Sequence, residues 1–524
     1  MTFRRRIAGI FLSILLGLIP CDKVCAGTLT SDEHTQYYHE NIDQGFMNDI
    51  QSIWQDQSGY YHIYYLYNKD YRHAGDGTEW YHVKTKDFIN YDKLGVALPK
   101  FKNGWGSVAT GSIIKNTNNF FKDLPKTAIV AYFTSYINNV QKQYAAYSLD
   151  EGATYIPYAD SSIMSAPGPD IDFRDPYVFF NNDTQKLTMY LAEKDKIGVY
   201  SSSDGKNFEY QGATSLSEQA LGEKDFGTIE CPVLKTMYDK NNRSNKEVLF
   251  FGGNGYQYGK TSGSFYMVGQ LDNKGIFVPE QSPKAVDDGT DYYASNYLQT
   301  NNNQDIVSLG WIGNWGYSAK KMVDSNNKYS YKLGSLSLAH KLNLVSQNGH
   351  YELESTLIKP TQKFTNKNKK KVYTSTLSKN EEGYYGLLNE HRPINQNVYL
   401  QMSNQKDGKV CGHVSVTVKQ PDGEINLDYN SDNGYYSVTR KTSIFRDNDA
   451  NNEYSKTHVE QSGVINPDVF KLNLLVDKVS TEIDFENSGK TYTLAKYSND
   501  DSMDVIVKTN NDNDLFYTMS DINK

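Results

Sequence analysis

Tyr60-Tyr61-His62-Ile63-Tyr64-Tyr65-Leu66-Tyr67, stopped by Asn68-Lys69-Asp70, is the stretch that sets the fold class. Its β-branched and aromatic residues favour a pleated strand over a helix. Runs of the same kind recur at 128–133, 143–148, 187–192, 197–201, 248–251 and 265–270. Turn chemistry separates them, as in Ser203-Asp204-Gly205, Gly252-Gly253-Asn254-Gly255 and Asp272-Asn273-Lys274-Gly275. Long amphipathic helical patterns are nearly absent. The chain therefore reads as all-β, and some 300 residues of short, regularly spaced strands favour a propeller. The repeat within each blade is too weak for pattern alone to count the blades.

Composition agrees. Of 524 residues, 42 are Tyr, 22 Phe and 5 Trp, enough aromatic bulk to build large cores at only 38% apolar content. Four cysteines exclude a disulfide scaffold. A formal charge of −8 argues against a nucleic-acid partner, which selects a basic face. The length implies two or more domains. A break falls at residues 341–372, where 363–371 is rich in Lys, Asn and Thr and reads as an exposed loop. Strand patterns then resume over 373–524, clearest at 410–418 and 470–485, and fit a β-sandwich.

The first residues read as an address. Arg4, Arg5 and Arg6 form a positive region, 7–19 is uncharged and mostly apolar, and Val24-Cys25-Ala26 offers a cleavage site. Residues 1–26 are thus a predicted secretory signal peptide, too short to cross a bilayer comfortably. The alternatives are an uncleaved anchor and a lipoprotein through Cys21, the latter disfavoured by Pro20. The expected product is secreted, without an integral membrane span in the mature chain, and retention at the cell surface stays open. Cys231 and Cys411 then remain and are expected to be free thiols.

Among 62 acidic residues, Asp49, Asp175 and Glu230 stand out. Each is flanked by apolar or aromatic residues just ahead of a strand-like run. Burial raises a carboxyl pKa and a neighbouring Arg lowers it, so such settings can separate an acid from an ionised partner. Singly, each also fits a turn residue, a structural ion pair or a satisfied buried acid. They are 126 and 55 positions apart, and only a fold can bring them together.

In order, Phe46-Met47-Asn48-Asp49, Arg174-Asp175-Pro176 and Glu230-Cys231-Pro232 resemble the three signature blocks of glycoside hydrolase family 32, the invertases, inulinases and levanases. Further similar stretches are 61–68, 82–98, Thr110-Gly111-Ser112, Asp291-Tyr292-Tyr293-Ala294, Trp311-Ile312-Gly313-Asn314-Trp315 and Val476-Asp477-Lys478 with Glu482. The segments 65–71 and 77–80 look most like the bacterial levan-degrading branch. The resemblance implies a five-bladed β-propeller over about 30–340 and then a C-terminal β-sandwich. It implies a secreted β-fructosidase acting on fructan or a fructosyl sugar, levan-type favoured, with inulin or sucrose as other substrates. It matches Asp49 to the nucleophile, Glu230 to the general acid/base kept protonated by burial, and Asp175 to the transition-state stabiliser kept ionised by Arg174. Asn48, Arg174, Ser112, Asp291, Trp311 and Trp315 are the expected substrate-binding residues. No cofactor and no metal are implied, and oligomeric state is not encoded legibly.

The chain departs from the family pattern in places. Phe46 replaces the leading Trp, and Ile50-Gln51-Ser52 replaces Pro-Asn-Gly after the expected nucleophile. Val108-Ala109-Thr110 stands where many relatives carry an aromatic, for which Trp105 is a candidate substitute. A fructosyltransferase shares the same expected chemistry. A non-catalytic fructan-binding protein and a propeller interaction scaffold are the alternatives of other classes.

Overall fold

The computed structural model describes residues 35–522 apart from 44, 70–76, 217–225, 256–261, 301–304, 319–320, 324–328, 332–333, 360–369, 446–447, 457–458, 462–469 and 487. The expected signal peptide and most of the Lys-rich loop lie outside the described residues.

The Tyr-rich stretch forms the strand Tyr61–Asn68, buried along almost its whole length. Its two faces serve two different cores. Ile63, Tyr65 and Tyr67 join Phe46, Tyr293 and Trp311 on one side, and Tyr64 and Leu66 join Trp80, Trp105 and Phe133 on the other. The same division recurs at Lys186–Ala192, where Leu187, Met189 and Leu191 face one core and Tyr190 the next. Sheets stacked face to face on both sides leave no solvent face, so these strands read as continuous apolar runs rather than as alternation.

Five such sheets form the propeller. Their inner strands are Phe46–Gln55, Ser107–Lys115, Arg174–Asn181, Ile229–Asp239 and Tyr292–Gln299. Antiparallel neighbours follow outward in chain order in the first four blades. The fifth blade runs Tyr292–Gln299, Ile306–Ile312, His340–Gln347, His350–Leu357, and one parallel bridge, Asp239 to Leu344, joins it to the fourth. Ser335 bridges Asn41 and Leu336 bridges Trp311, tying the segment ahead of the first blade to the fifth.

A structural repeat marks the blades. In the second, third and fourth, the turn after the third strand ends at a glycine with positive φ: Gly152, Gly205 and Gly275. A tyrosine of the preceding blade donates its hydroxyl to each glycine carbonyl: Tyr64 to Gly152 (3.0 Å), Tyr132 to Gly205 (2.8 Å) and Tyr190 to Gly275 (2.7 Å). Ser148 with Asp150, and Ser202 with Asp204, close the first two turns on their own backbone N–H groups.

The domain boundary lies later than expected. Residues 341–357, assigned to the linker from sequence, complete the fifth blade as a hairpin together with His340. Asn348 and Gly349 both have positive φ, which is the two-residue hairpin turn that Asn-Gly favours. Beyond it, two six-stranded sheets form the sandwich. In His413–Gln420, Val414, Val416 and Val418 point inward in strict alternation. Cys231 and Cys411 are free thiols, as expected.

Candidate active site

Each inner strand carries a bulge at the same level against its neighbour. Pairing skips two inner residues opposite one at 48–49, 109–110, 175–176, 231–232 and 294–295. Asp175, Cys231 and Ala294 adopt left-handed backbone there, with φ of 59°, 51° and 43°. A bulge bends the strand and re-aims the flanking side chains. Non-glycine residues hold such φ only where the surroundings enforce it. Five aligned bulges thus turn Asp49, Asp175 and Glu230 toward one another at the same end of the propeller axis.

The group is held tightly. Thr110 Oγ1 donates to Asp49 Oδ2 (2.7 Å) and Asn48 Nδ2 to Oδ1 (3.0 Å). The Cys231 amide donates to Asp175 Oδ2 (3.0 Å), and its Sγ lies 3.7 Å from Asp49 Oδ2 and 3.8 Å from Asp175 Oδ2. Arg174 Nη2 donates to Glu230 Oε1 (3.1 Å), and the Tyr293 hydroxyl donates to Glu230 Oε2. The Asp175 amide donates to Thr134 Oγ1 (2.9 Å), whose own proton goes to Gln143 Oε1.

Electrostatics differ from the sequence expectation in two respects. Burial pushes the Asp175 carboxyl up to about 7; Arg174 opposes this and Glu230 and Asp49 add to it. Arg174 does not hold Asp175 in the ordinary carboxylate range because its guanidinium turns to Glu230 and Asp172, leaving Nε 3.9 Å from Asp175 Oδ2. Glu230 is also not the buried member: its side chain is 28% exposed, whereas that of Asp175 is 5% exposed. Burial and the Glu230 charge push Asp49 up, and the Thr110 and Asn48 hydrogen bonds pull it back. Burial likewise pushes up the Cys231 thiol, which keeps it a neutral packing group between two carboxyls.

The other expected contacts divide. Trp315 is exposed and borders Phe46, while Trp311 is fully buried beneath the two. Trp105 packs on Phe133 and Tyr144 in the core and gives its Nε1 proton to Pro99 O, so it does not stand in for the missing aromatic. Ser112 donates to Pro176 O and accepts from Val178 N, stitching the second blade to the third. Asp291 is buried against Arg440 of the sandwich and Tyr317. The structure therefore groups Asn48, Arg174 and the three acids, and spends Ser112 and Asp291 on packing between elements.

Two supporting residues had no role assigned from sequence, although Tyr293 lies in the family-like stretch 291–294. Gln51 is fully buried, donates to Asp49 O (2.7 Å) and accepts from Gly111 N (2.8 Å), tying the first inner strand to the second. Tyr293 reaches Glu230 from the next blade.

Comparison with known proteins shows the family and the fold. A levanbiose-producing levanase of Bacillus subtilis (strain 168) is 30% identical over 497 residues, covering 92% of this chain and 90% of its own. A levanbiose-producing levanase of Geobacillus stearothermophilus is 33% identical over 314 residues, covering 59% and 76%. The fold matches a fructofuranosidase from Schwanniomyces occidentalis complexed with fructose at TM-score 0.76 and 21% identity, covering 95% of this chain and 100% of that one. An exo-inulinase from Aspergillus awamori matches at TM-score 0.76 and 19% identity, covering 94% and 99%. Residues 39–355, more than half the chain, match the glycosyl hydrolases family 32 N-terminal domain, and the protein belongs to that family of glycoside hydrolases.

Proposed function

We propose that this enzyme cleaves β-fructosidic bonds of a fructan, levan-type in preference to inulin or sucrose, with retention of configuration. The convergence of Asp49, Asp175 and Glu230 around Cys231 and Arg174 carries the reading. Retaining glycosidases place two carboxyls roughly 5–5.5 Å apart across the scissile bond. Asp49 attacks C2 of the fructosyl unit, and Glu230, reachable from solvent, protonates the leaving oxygen. The Asp49–C2 bond forms as the C2–O bond breaks. Water, losing a proton to Glu230, then displaces Asp49. Asp175 accepts hydrogen bonds from ring hydroxyls, and these strengthen as positive charge builds on the ring. Arg174 and Tyr293 fix the Glu230 carboxyl between them. Trp315 offers an exposed aromatic face to a sugar ring.

The levan preference draws support from the two levanase relatives and from the segments 65–71 and 77–80. The protein acts outside the cell, as its N-terminal sequence suggests. Among the described residues no helix is long and apolar enough to cross a membrane. Incubating the purified chain with levan, inulin and sucrose tests the reading. Fructose or short fructo-oligomers should appear, fastest from levan. Longer chains would indicate transfer to a sugar hydroxyl, and no product from any of the three would overturn the proposal.

A further inference from the structure

The five inner strands that present the carboxylates at one end also enclose a cavity further along their length. It has a volume of about 400 Å³ and is lined by the later residues of the same strands, 51–55, 112, 113, 115, 177, 235 and 296–300, with Tyr61. That volume lies in the range of small-molecule sites, roughly 300–1,000 Å³. Gln51 stands between the two ends, its side chain on the Asp49 carbonyl.

The charge of the lining is the reverse of the protein's. The chain carries −8, yet among the described lining residues two are lysines, Lys115 and Lys235, and none is acidic. Lys115 donates to Gln55 O (2.9 Å) and lies over the Trp54 ring (4.1 Å). Its neighbouring acid, Asp56, is already bound to the Tyr60 amide (2.8 Å) and to His62 (3.3 Å). Lys235 lies over the Tyr177 ring (5.3 Å) and pairs with no carboxylate among the described residues. Two ammonium groups without a carboxylate partner, on a wall of amides, hydroxyls and aromatic edges, match an oxyanion.

We propose that this axial cavity, at the opposite end of the propeller from Asp49, is a binding site for a small oxyanion-bearing molecule, held by Lys115 and Lys235. The oxyanion is a phosphate or a carboxylate, and the two give the same contacts here. Calorimetric titration of the full chain with inorganic phosphate, and separately with citrate, at low ionic strength distinguishes them. Saturable one-to-one binding of at least one anion is expected. Lys235→Gln and Lys115→Gln should each weaken it about tenfold or more, the scale of one charge-assisted hydrogen bond. Lys246→Gln, which removes a lysine already paired with Glu280, should not change it. Asp49→Asn should not either, so the result stands apart from the fate of the catalytic reading. Should a lysine variant fail to fold, a selenate-soaked crystal of the unaltered protein locates the anion by its anomalous signal. Absence of saturable binding by both anions, binding unchanged in both lysine variants, or selenate bound only at the carboxylate end would each overturn the proposal.

Discussion

As the proposed nucleophile, Asp49 has to be ionised to attack, and its surroundings work in both directions. Burial and Glu230 raise its pKa, and Thr110 and Asn48 lower it. Thr110→Val removes one of the lowering bonds at nearly constant volume. The acidic limb of the kcat/KM–pH profile should then move to higher pH, and an unmoved limb would show that Asp49 does not set it. Asp49→Asn should cut turnover by at least about 10³-fold, as loss of one member of a cooperating catalytic group does. A carboxyl whose folded pKa is raised loses stability as pH climbs through it, so the neutral amide should leave the melting temperature at pH 7 unchanged or higher. Glu230→Gln should cost about 10²–10⁴-fold on fructan, the usual range for general acid–base catalysis, and less on fructosides with activated leaving groups. Equal loss on both would count against the acid role. The three acids were legible through the family-like blocks that hold them, since singly each also fits an ordinary structural acid, and all three lie within inner strands rather than ahead of them. Thr110, Gln51 and Tyr293 were not, because each acts on a residue of another strand and sequence holds no register between strands.

The repeated elements explain what the blades share. Tyr64, Tyr132 and Tyr190 each reach from the second strand of one blade to a left-handed glycine carbonyl in the next. The spacing Ser-x-Asp, followed by glycine and then an aromatic two or three residues on, is present at 148–155 and 202–208. It escaped notice as a repeat because the fourth-blade turn at 272–277 uses Asp272 in place of the Ser. The bulges were illegible for a stronger reason: a bulge exists only in the pairing of two strands, and no residue type marks it. The turn repeat is testable. A Cβ on Gly152 would lie 1.9 Å from the Tyr64 hydroxyl, at a φ of 81°. Gly152→Ala should therefore destabilise by roughly 1–3 kcal/mol, from overpacking and left-handed strain together. Adding Tyr64→Phe removes the atom that clashes, so the double variant should lose less than the sum of the single changes in chemical denaturation. Strict additivity would show that the contact does not couple the blades.

At the scale of the whole molecule, buried charge joins propeller to sandwich. Arg440 meets Asp291 and Tyr317, donates to Ala495 O (3.0 Å), and lies over the Tyr454 ring (4.0 Å). Arg440→Met strands Asp291 in a fully buried setting and should cost about 3–5 kcal/mol; a loss within experimental error would show that the pair does not hold the interface. The second junction is a clasp. His39 lies between Asp477 (2.8 Å) and Glu482 (2.6 Å), and Asp477 also accepts the Tyr37, Tyr38 and His39 amides. His340 faces the same cluster, 3.6 Å from Glu482 and 3.9 Å from Asp287. The two carboxylates outweigh burial and raise His39 from 6.5 to about 9, while Glu482 falls from 4.5 to about 2. A histidine raised on folding contributes stability that is complete below its unfolded pKa and is lost as pH climbs through the folded value. A lowered glutamate contributes above its unfolded pKa and is lost as pH falls through the folded value. The clasp is therefore at full strength between about pH 4.5 and 6.5 and fades toward about 9. Lys496, buried and lowered to about 7, works the opposite way and gains stability as pH rises, so a raw melting curve mixes the two. His39→Gln separates them. The difference in melting temperature between parent and variant should be largest near pH 6 and should shrink steadily up to pH 9. Two curves that run parallel across that range would mean that His39 holds the domains together without its charge.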